Sequence, residues 1–191
     1  RPQLGPARLL YTGNIKLYRG AKEHVKILEN VPEAELFLIG RCDNSLAVAL
    51  QQQSGSHNDR LHIEGIDKYV PHERIIEYYE RERWLAGLAI FRPNQHTDRK
   101  ELTKIFEYMY YGIPIICSDL HSLRNIVSKH ECGLCIDPES PQAIADAVRY
   151  LIENPNEASR MAANGQKAAL TNYNWGTQAT KLLSLYKRLT Y

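Results

Sequence analysis

No apolar run in this chain approaches the roughly 18–20 residues that a membrane-spanning helix requires. Its longest buried-looking pieces, residues 87–91 and 113–117, have the length of strands. Charge of one sign is also missing, since 24 Lys and Arg against 22 Asp and Glu leave a formal net charge of +2. Proteins that track nucleic-acid phosphates need a larger basic excess, so no nucleic-acid partner is expected, while a small clustered basic site remains compatible with that total. Neither an initiator Met nor a signal-peptide pattern precedes Arg1-Pro2-Gln3-Leu4-Gly5, which suggests a fragment of a longer chain. No Asp-x-Asp pair is present to hold a divalent metal, and no metal or other cofactor is expected.

Cysteine is sparse: Cys42, Cys117, Cys132 and Cys135 are the four. Cys132 and Cys135 form a Cys-x-x-Cys, which suits a metal half-site or a redox pair. Zinc would need two further ligands at matching spacing, and neither a second such pair nor a His-x3-His occurs. Cys135 falls in the apolar stretch Gly133-Leu134-Cys135-Ile136, so the expectation is ordinary reduced, mostly buried thiols and a cytoplasmic location.

The 191 residues, 43% hydrophobic and 24% charged, have the size and balance of one globular domain. Apolar runs of four to seven residues alternate with amphipathic segments along the chain. Strands are expected at 9–12, 35–39, 61–63, 88–91, 113–117 and 134–136. Helices are expected at 21–29, 44–53 with Asp43 as cap, 71–83 and 103–111, the last ended by Gly112 and Pro114. Residues 54–59 read as a polar loop. The tail is helical, with Ser140 capping a segment that has Pro141 in its first turn, then helices near 156–170 and 175–188.

Strands that alternate with helices must run parallel, because each crossover returns the chain over the sheet. The fold class is therefore α/β, a doubly wound Rossmann-like sheet of six parallel strands with helices on both faces and a helical tail. Residues 1–191 form one domain with no linker long enough to divide it. Such sheets bind ligands beyond the carboxyl ends of their strands, at the switch point.

Two segments there suit a diphosphate. Thr12-Gly13-Asn14-Ile15-Lys16-Leu17-Tyr18-Arg19-Gly20 runs from a strand into a helix, with Gly13 permitting close backbone approach and Arg19 offering a planar fork. Thr103 and Lys104 open a later helix, whose free N–H groups and dipole favour an anion. Glu107 shares a face with Lys104 and can accept from two adjacent ribose hydroxyls. His96 and His121 read as loop or capping residues, and the twelve tyrosines as core and interdomain packing.

The run Lys104-Ile105-Phe106-Glu107-Tyr108-Met109, followed by Gly112-Ile113-Pro114-Ile115-Ile116, resembles the signature of retaining GT-B glycosyltransferases of the glycosyl group 1 type. Gly13 followed by Arg19-Gly20 resembles that family's phosphate loop, and Gly40, Gly65, Cys132-Gly133-Leu134 and Tyr173-x-Trp175 fall into register with its other segments. The resemblance implies the donor-binding half of a transferase that moves a sugar from a nucleotide diphosphate to an acceptor. It implies that Arg19 and Lys104 contact the diphosphate, helped by Gly13, Asn14 and Thr103, that Glu107 holds the ribose, and that Gly40, Arg41 and Ile66 face the nucleobase. It implies a metal-free cleavage in which cations and N–H groups take up charge on the leaving diphosphate while the sugar becomes oxocarbenium-like. It also implies an N-terminal acceptor-binding domain elsewhere in the protein as partner, through which the protein could sit at a membrane surface, and an isolated chain without transfer activity.

Two positions depart from the pattern. Asn14 stands where the phosphate loop usually has Arg, and Arg99 stands where a first Glu often precedes Glu107, with Asp98 or Glu101 as neighbouring substitutes. Alternatives on the same architecture are a non-hydrolysing nucleotide-sugar epimerase, a flavodoxin-like binding domain and a degenerate transferase kept as a scaffold.

Overall fold

Strands covered on both faces need near-continuous apolar sequence. In β1 (Ala7–Thr12) Leu9 and Leu10 are fully buried, and Tyr11 and Thr12 nearly so. The computed structural model describes residues 6–81, 83–92 and 102–189. In it β2 (Ala34–Cys42), β3 (Leu61–Ile66), β4 (Ala86–Ala89), β5 (Ile115–Ser118) and β6 (Gly133–Ile136) join β1 in one six-stranded sheet. Its order is β3-β2-β1-β4-β5-β6, and every pairing is parallel, as expected for a Rossmann-like sheet.

Right-handed crossovers put α1 (Ala21–Asn30) and α2 (Asn44–Ser54) on one face. They put α3 (His72–Arg81), α4 (Thr103–Tyr110) and α5 (His121–Val127) on the other. In the tail, α6 (Pro141–Glu153) packs against α1 and α7 (Pro155–Asn172) against α4, and α8 (Trp175–Leu189) follows. Among the described residues no helix is long and apolar enough to cross a membrane. The winding reverses between β1 and β4, so the carboxyl ends of these neighbours border the crevice.

Local chemistry sets the start of α6 and the end of α4. Ser140 Oγ accepts from the Ala143 N–H at 3.1 Å, with Pro141 in the first turn. After α4, Gly112 takes φ 64°, its N–H donates to Met109 O at 3.1 Å, and Ile113 N–H donates to Tyr108 O at 2.8 Å. That pair of bonds is a Schellman closure, and Pro114 follows it directly into β5.

Three expectations are corrected, and one helix was not foreseen. Asp43 occupies the N-cap position of α2, but its carboxylate binds Lys16, and Asp67 Oδ1 accepts from the Asn44 N–H instead at 2.9 Å. Residues 54–59 are not a plain loop: a 3-10 helix spans Gly55–Arg60, and the Arg60 guanidinium donates to the carbonyls of Leu28, Val31 and Ala34. The short α5 has only Leu123, Ile126 and Val127 buried, too few for a helical period to stand out in the sequence. Strand 113–117 begins later, at Ile115, because Ile113 still belongs to the closure of α4.

Gly87 in β4 lies under the Tyr108 ring, and a Cβ there would sit 2.5 Å from Tyr108 Cδ2. Gly87→Ala is expected to lower stability by about 1–3 kcal/mol through overpacking, measured as an earlier urea midpoint with an unchanged slope.

Candidate functional site

The carboxyl ends of β1, β2 and β3 are held so close that only glycine fits. Gly13 (φ 106°) donates to Ile39 O at 2.9 Å. A Cβ at Gly40 (φ 145°) would lie 2.1 Å from Gly13 O, and one at Gly65 would lie 2.4 Å from Gly40 O. The ladder continues as Ile15 N–H donates to Arg41 O at 2.9 Å, so the chain leaving β1 follows the end of β2. Bare peptide thus lines this part of the sheet end, where side chains would otherwise stand. Gly20, in the left-handed region at φ 75°, starts α1 tightly against β4, since a Cβ there would meet Ile90 O at 2.0 Å.

Lys104 reaches this glycine surface from the first turn of α4. Its side chain is buried, with Nζ 3.6 Å from the centre of the Tyr11 ring and 5.2 Å from that of Phe91. A Cβ on Gly13 would stand 3.6 Å from Nζ. Nζ has no hydrogen-bond partner among the described residues. Burial, with the Arg19 guanidinium adding to it and Glu107 opposing, pulls the Lys104 ammonium well below the ordinary lysine range. A ring face offsets part of the missing hydration, yet a buried cation lacking an anion is costly.

Glu107 is fixed by a chain of hydroxyls. Tyr79 from α3 donates to Glu107 Oε2 at 2.8 Å and lies 2.8 Å from Thr12 Oγ1, while Tyr108 OH accepts from the Thr12 N–H at 3.1 Å. Tyr79 is also stacked on Tyr111, with ring centres 4.8 Å apart. Burial raises the Tyr79 and Tyr108 hydroxyls well above the usual tyrosine value, so both stay protonated and able to donate.

The expected residues fall into two groups. Gly13, Arg19, Thr103, Lys104 and Glu107 gather around the β1 end, Thr103 being exposed at the start of α4 and Arg19 half-buried in the 3-10 turn Leu17–Arg19. Asn14 is exposed, and its carbonyl accepts from Tyr11 OH at 2.8 Å. Gly40, Arg41 and Ile66 lie farther along, at the ends of β2 and β3, with Arg41 exposed. His121 opens α5 and pairs with Asn125 on the helix surface at 3.0 Å. His96, Asp98, Arg99 and Glu101 lie outside the described residues.

Three neighbours went unread in the sequence. The Tyr11 ring carries Lys104, Tyr79 orients Glu107, and His24 on α1 lies 4.8 Å from the Tyr11 ring. His24 is buried with neither ring nitrogen partnered among the described residues, and burial, with Lys104 adding, pulls it down to about 3. Tyr79 left one signal, a hydroxyl on an otherwise apolar helix stripe that needs a partner once buried. Apart from this site, a cavity of about 590 Å³ follows the outer edge strand past His62, Glu64, Ile66 and Tyr78. It shares Ile39, Gly65 and Ile66 with the strand ends described above, and Glu64 is already held by Arg74 and Tyr78. Among the described residues no three His, Cys, Asp or Glu are grouped to hold a metal ion.

Lys104→Met is expected to stabilise the ligand-free protein at neutral pH by on the order of 1–2 kcal/mol, because it removes a buried unpaired cation and keeps its volume. The native chain should also gain stability as pH rises from the depressed folded value of Lys104 towards the unfolded value of about 10.4, since the unfolded state then binds the extra proton. Denaturant titrations across the alkaline range should show that gain in the native chain and its loss in Lys104→Met.

The family model for glycosyl transferases group 1 matches residues 2–168. The D-inositol 3-phosphate glycosyltransferase of Xylanimonas cellulosilytica is 24% identical over 186 residues, covering 95% of this chain and 42% of that protein. Sucrose-phosphate synthase of Thermosynechococcus elongatus shares the fold with a TM-score of 0.81 at 24% identity, over 100% of this chain and 47% of its own. Anabaena Alr3699/HepE, solved in complex with UDP and glucose, does so with a TM-score of 0.77 at 17% identity, over 94% and 48%. The chain therefore spans about half the length of the relatives it matches. With the family model matched over residues 2–168, a range that contains the glycine-lined strand ends and the Lys104-to-Glu107 helix, the chain belongs to the glycosyl transferases group 1 family.

Proposed function

We propose that this chain is the donor half of a glycosyltransferase and that the diphosphate of a nucleotide sugar sits between Gly13, Arg19 and the start of α4. The observation that carries the reading is Lys104, a buried amine with no hydrogen-bond partner among the described residues, held against bare peptide at the switch point. A diphosphate oxygen there would supply the missing counter-charge. Arg19 would add a planar fork, and the N–H groups at the α4 start, including that of Thr103, would add the dipole end of a helix.

Glu107 would accept from the ribose hydroxyls, its carboxylate held by Tyr79 so that little ordering remains to be done on binding. The nucleobase would lie over Gly40, Arg41 and Ile66, with Asn14 at the rim. As the glycosidic bond breaks, negative charge grows on the diphosphate, and Lys104 and Arg19 stabilise it more strongly in this dry site than water would. The same groups supply the charge compensation that a divalent metal gives elsewhere, so the reaction is proposed to be metal-free and to retain the anomeric configuration. The acceptor would be bound by an N-terminal domain elsewhere in the protein. Transfer by the isolated chain is accordingly expected to be undetectable, and free thiols suit a cytoplasmic setting or one peripheral to a membrane.

A thermal-shift panel of the full-length protein against UDP, GDP, ADP, dTDP and their sugars tests the reading. A nucleotide at 100 times its Kd should add about 2.7 kcal/mol, or several degrees in Tm, and Lys104→Ala should abolish the shift. Full stabilisation retained in Lys104→Ala would place the nucleotide elsewhere. A flat panel would favour a chain that no longer uses a donor.

A further inference from the structure

The thiols that meet are not those adjacent in sequence. Cys117 in β5 and Cys135 in β6 are register partners in the parallel pair, with Sγ atoms 3.6 Å apart. Cys132 points elsewhere, its Sγ donating to Val127 O at 3.7 Å, and it is fully buried. Neighbouring strands run about 4.7–4.9 Å apart, inside the roughly 4.4–6.8 Å Cα separation that a disulfide tolerates. Cys117 is fully buried, but Cys135 is only partly so and is reached by the Ser128 hydroxyl at 3.6 Å. One member of the pair is therefore open to a reagent and the other is placed to resolve it.

We propose that Cys117 and Cys135 form a reversible dithiol–disulfide site, with low-molecular-weight disulfides as its reaction partner. The Cys135 thiolate attacks one sulfur of the disulfide, forming a mixed disulfide and releasing a thiolate that takes up the first proton. Cys117 then loses its proton and attacks the Cys135 sulfur from within the sheet. The bond to the small thiol breaks, and that thiol leaves with the second proton. Two protein thiols and one disulfide become one protein disulfide and two small thiols.

Cys135 is suited to the first step. The hydrogen bond from Cys117, with Ser128 assisting and burial opposing, brings its thiol down to about 7, where a thiolate is present near neutral pH. The cross-link must draw the sulfurs from 3.6 Å to about 2.05 Å between strands already fixed in register. It would lie one residue from Ser118, whose hydroxyl donates to Phe91 O and accepts from Phe91 N–H, both at 2.7 Å, at the crevice end of β4.

The full-length protein, incubated with oxidised glutathione, alkylated and digested, decides the matter by mass spectrometry. The expected product is a peptide pair joined through Cys117 and Cys135, lost on treatment with dithiothreitol. It should form equally in Cys132→Ser and be absent in Cys135→Ser. Cys117→Ser should stop at one glutathione on Cys135. Free thiols at both positions in the folded native protein, glutathione that stays on native Cys135, or a Cys132–Cys135 link would each overturn the proposal. The native peptide map suffices even if a serine variant folds poorly.

Discussion

The structure turns on a lysine amine buried inside the fold against an aromatic ring. Lys104 lies over Tyr11 with no hydrogen bond among the described residues. Keeping it there requires the surrounding pieces in their observed form. Gly13 leaves the space in front of Nζ free of any side chain, Gly20 lets α1 close on β4, and the Schellman turn after α4 locks the helix that carries the lysine. Neutral His24 behind the Tyr11 ring adds no competing charge. A buried amine of this kind carries a desolvation cost that a counter-charge would relieve.

Lys104 and Glu107 share one short helix, but their environments differ in kind. Lysine is desolvated and has no hydrogen-bond partner among the described residues, whereas the carboxylate is held by Tyr79, which is braced in turn by Thr12 and stacked on Tyr111. Thr12 ties these groups together, since its N–H donates to Tyr108 and its hydroxyl meets both Tyr79 and Tyr108. The sheet therefore orients Glu107 from the strand that also delivers Gly13. Pre-ordering of this kind reduces what a ligand must organise on arrival.

The periodic elements were legible because burial leaves a compositional trace. Parallel strands covered on both faces read as apolar runs, and α6 showed both its cap and its stripe. Asp43 misled because an aspartate before a helix has two uses, and Lys16 from the β1 loop claimed its carboxylate. Asp67 took over the capping role from the end of β3, a substitution no local window reveals. The 3-10 turn Gly55–Arg60 escaped notice for a related reason: its anchor is Arg60, which binds carbonyls around 30 residues earlier.

The order of residue types along the chain sufficed for the alternation of strand and helix, the glycines after the strands, and the Lys104-to-Glu107 spacing on one helix face. These depend on neighbours within a few positions, and the physics of turns, caps and helical pitch acts over that range. Tertiary structure alone decided that Lys104 would be buried against the Tyr11 ring, that Tyr79 would hold Glu107, and that Cys135 would face Cys117 rather than Cys132. Desolvation and hydrogen bonding depend on what surrounds an atom in space. In a sheet ordered 3-2-1-4-5-6, the surroundings of every site residue come from strands and helices distant in sequence.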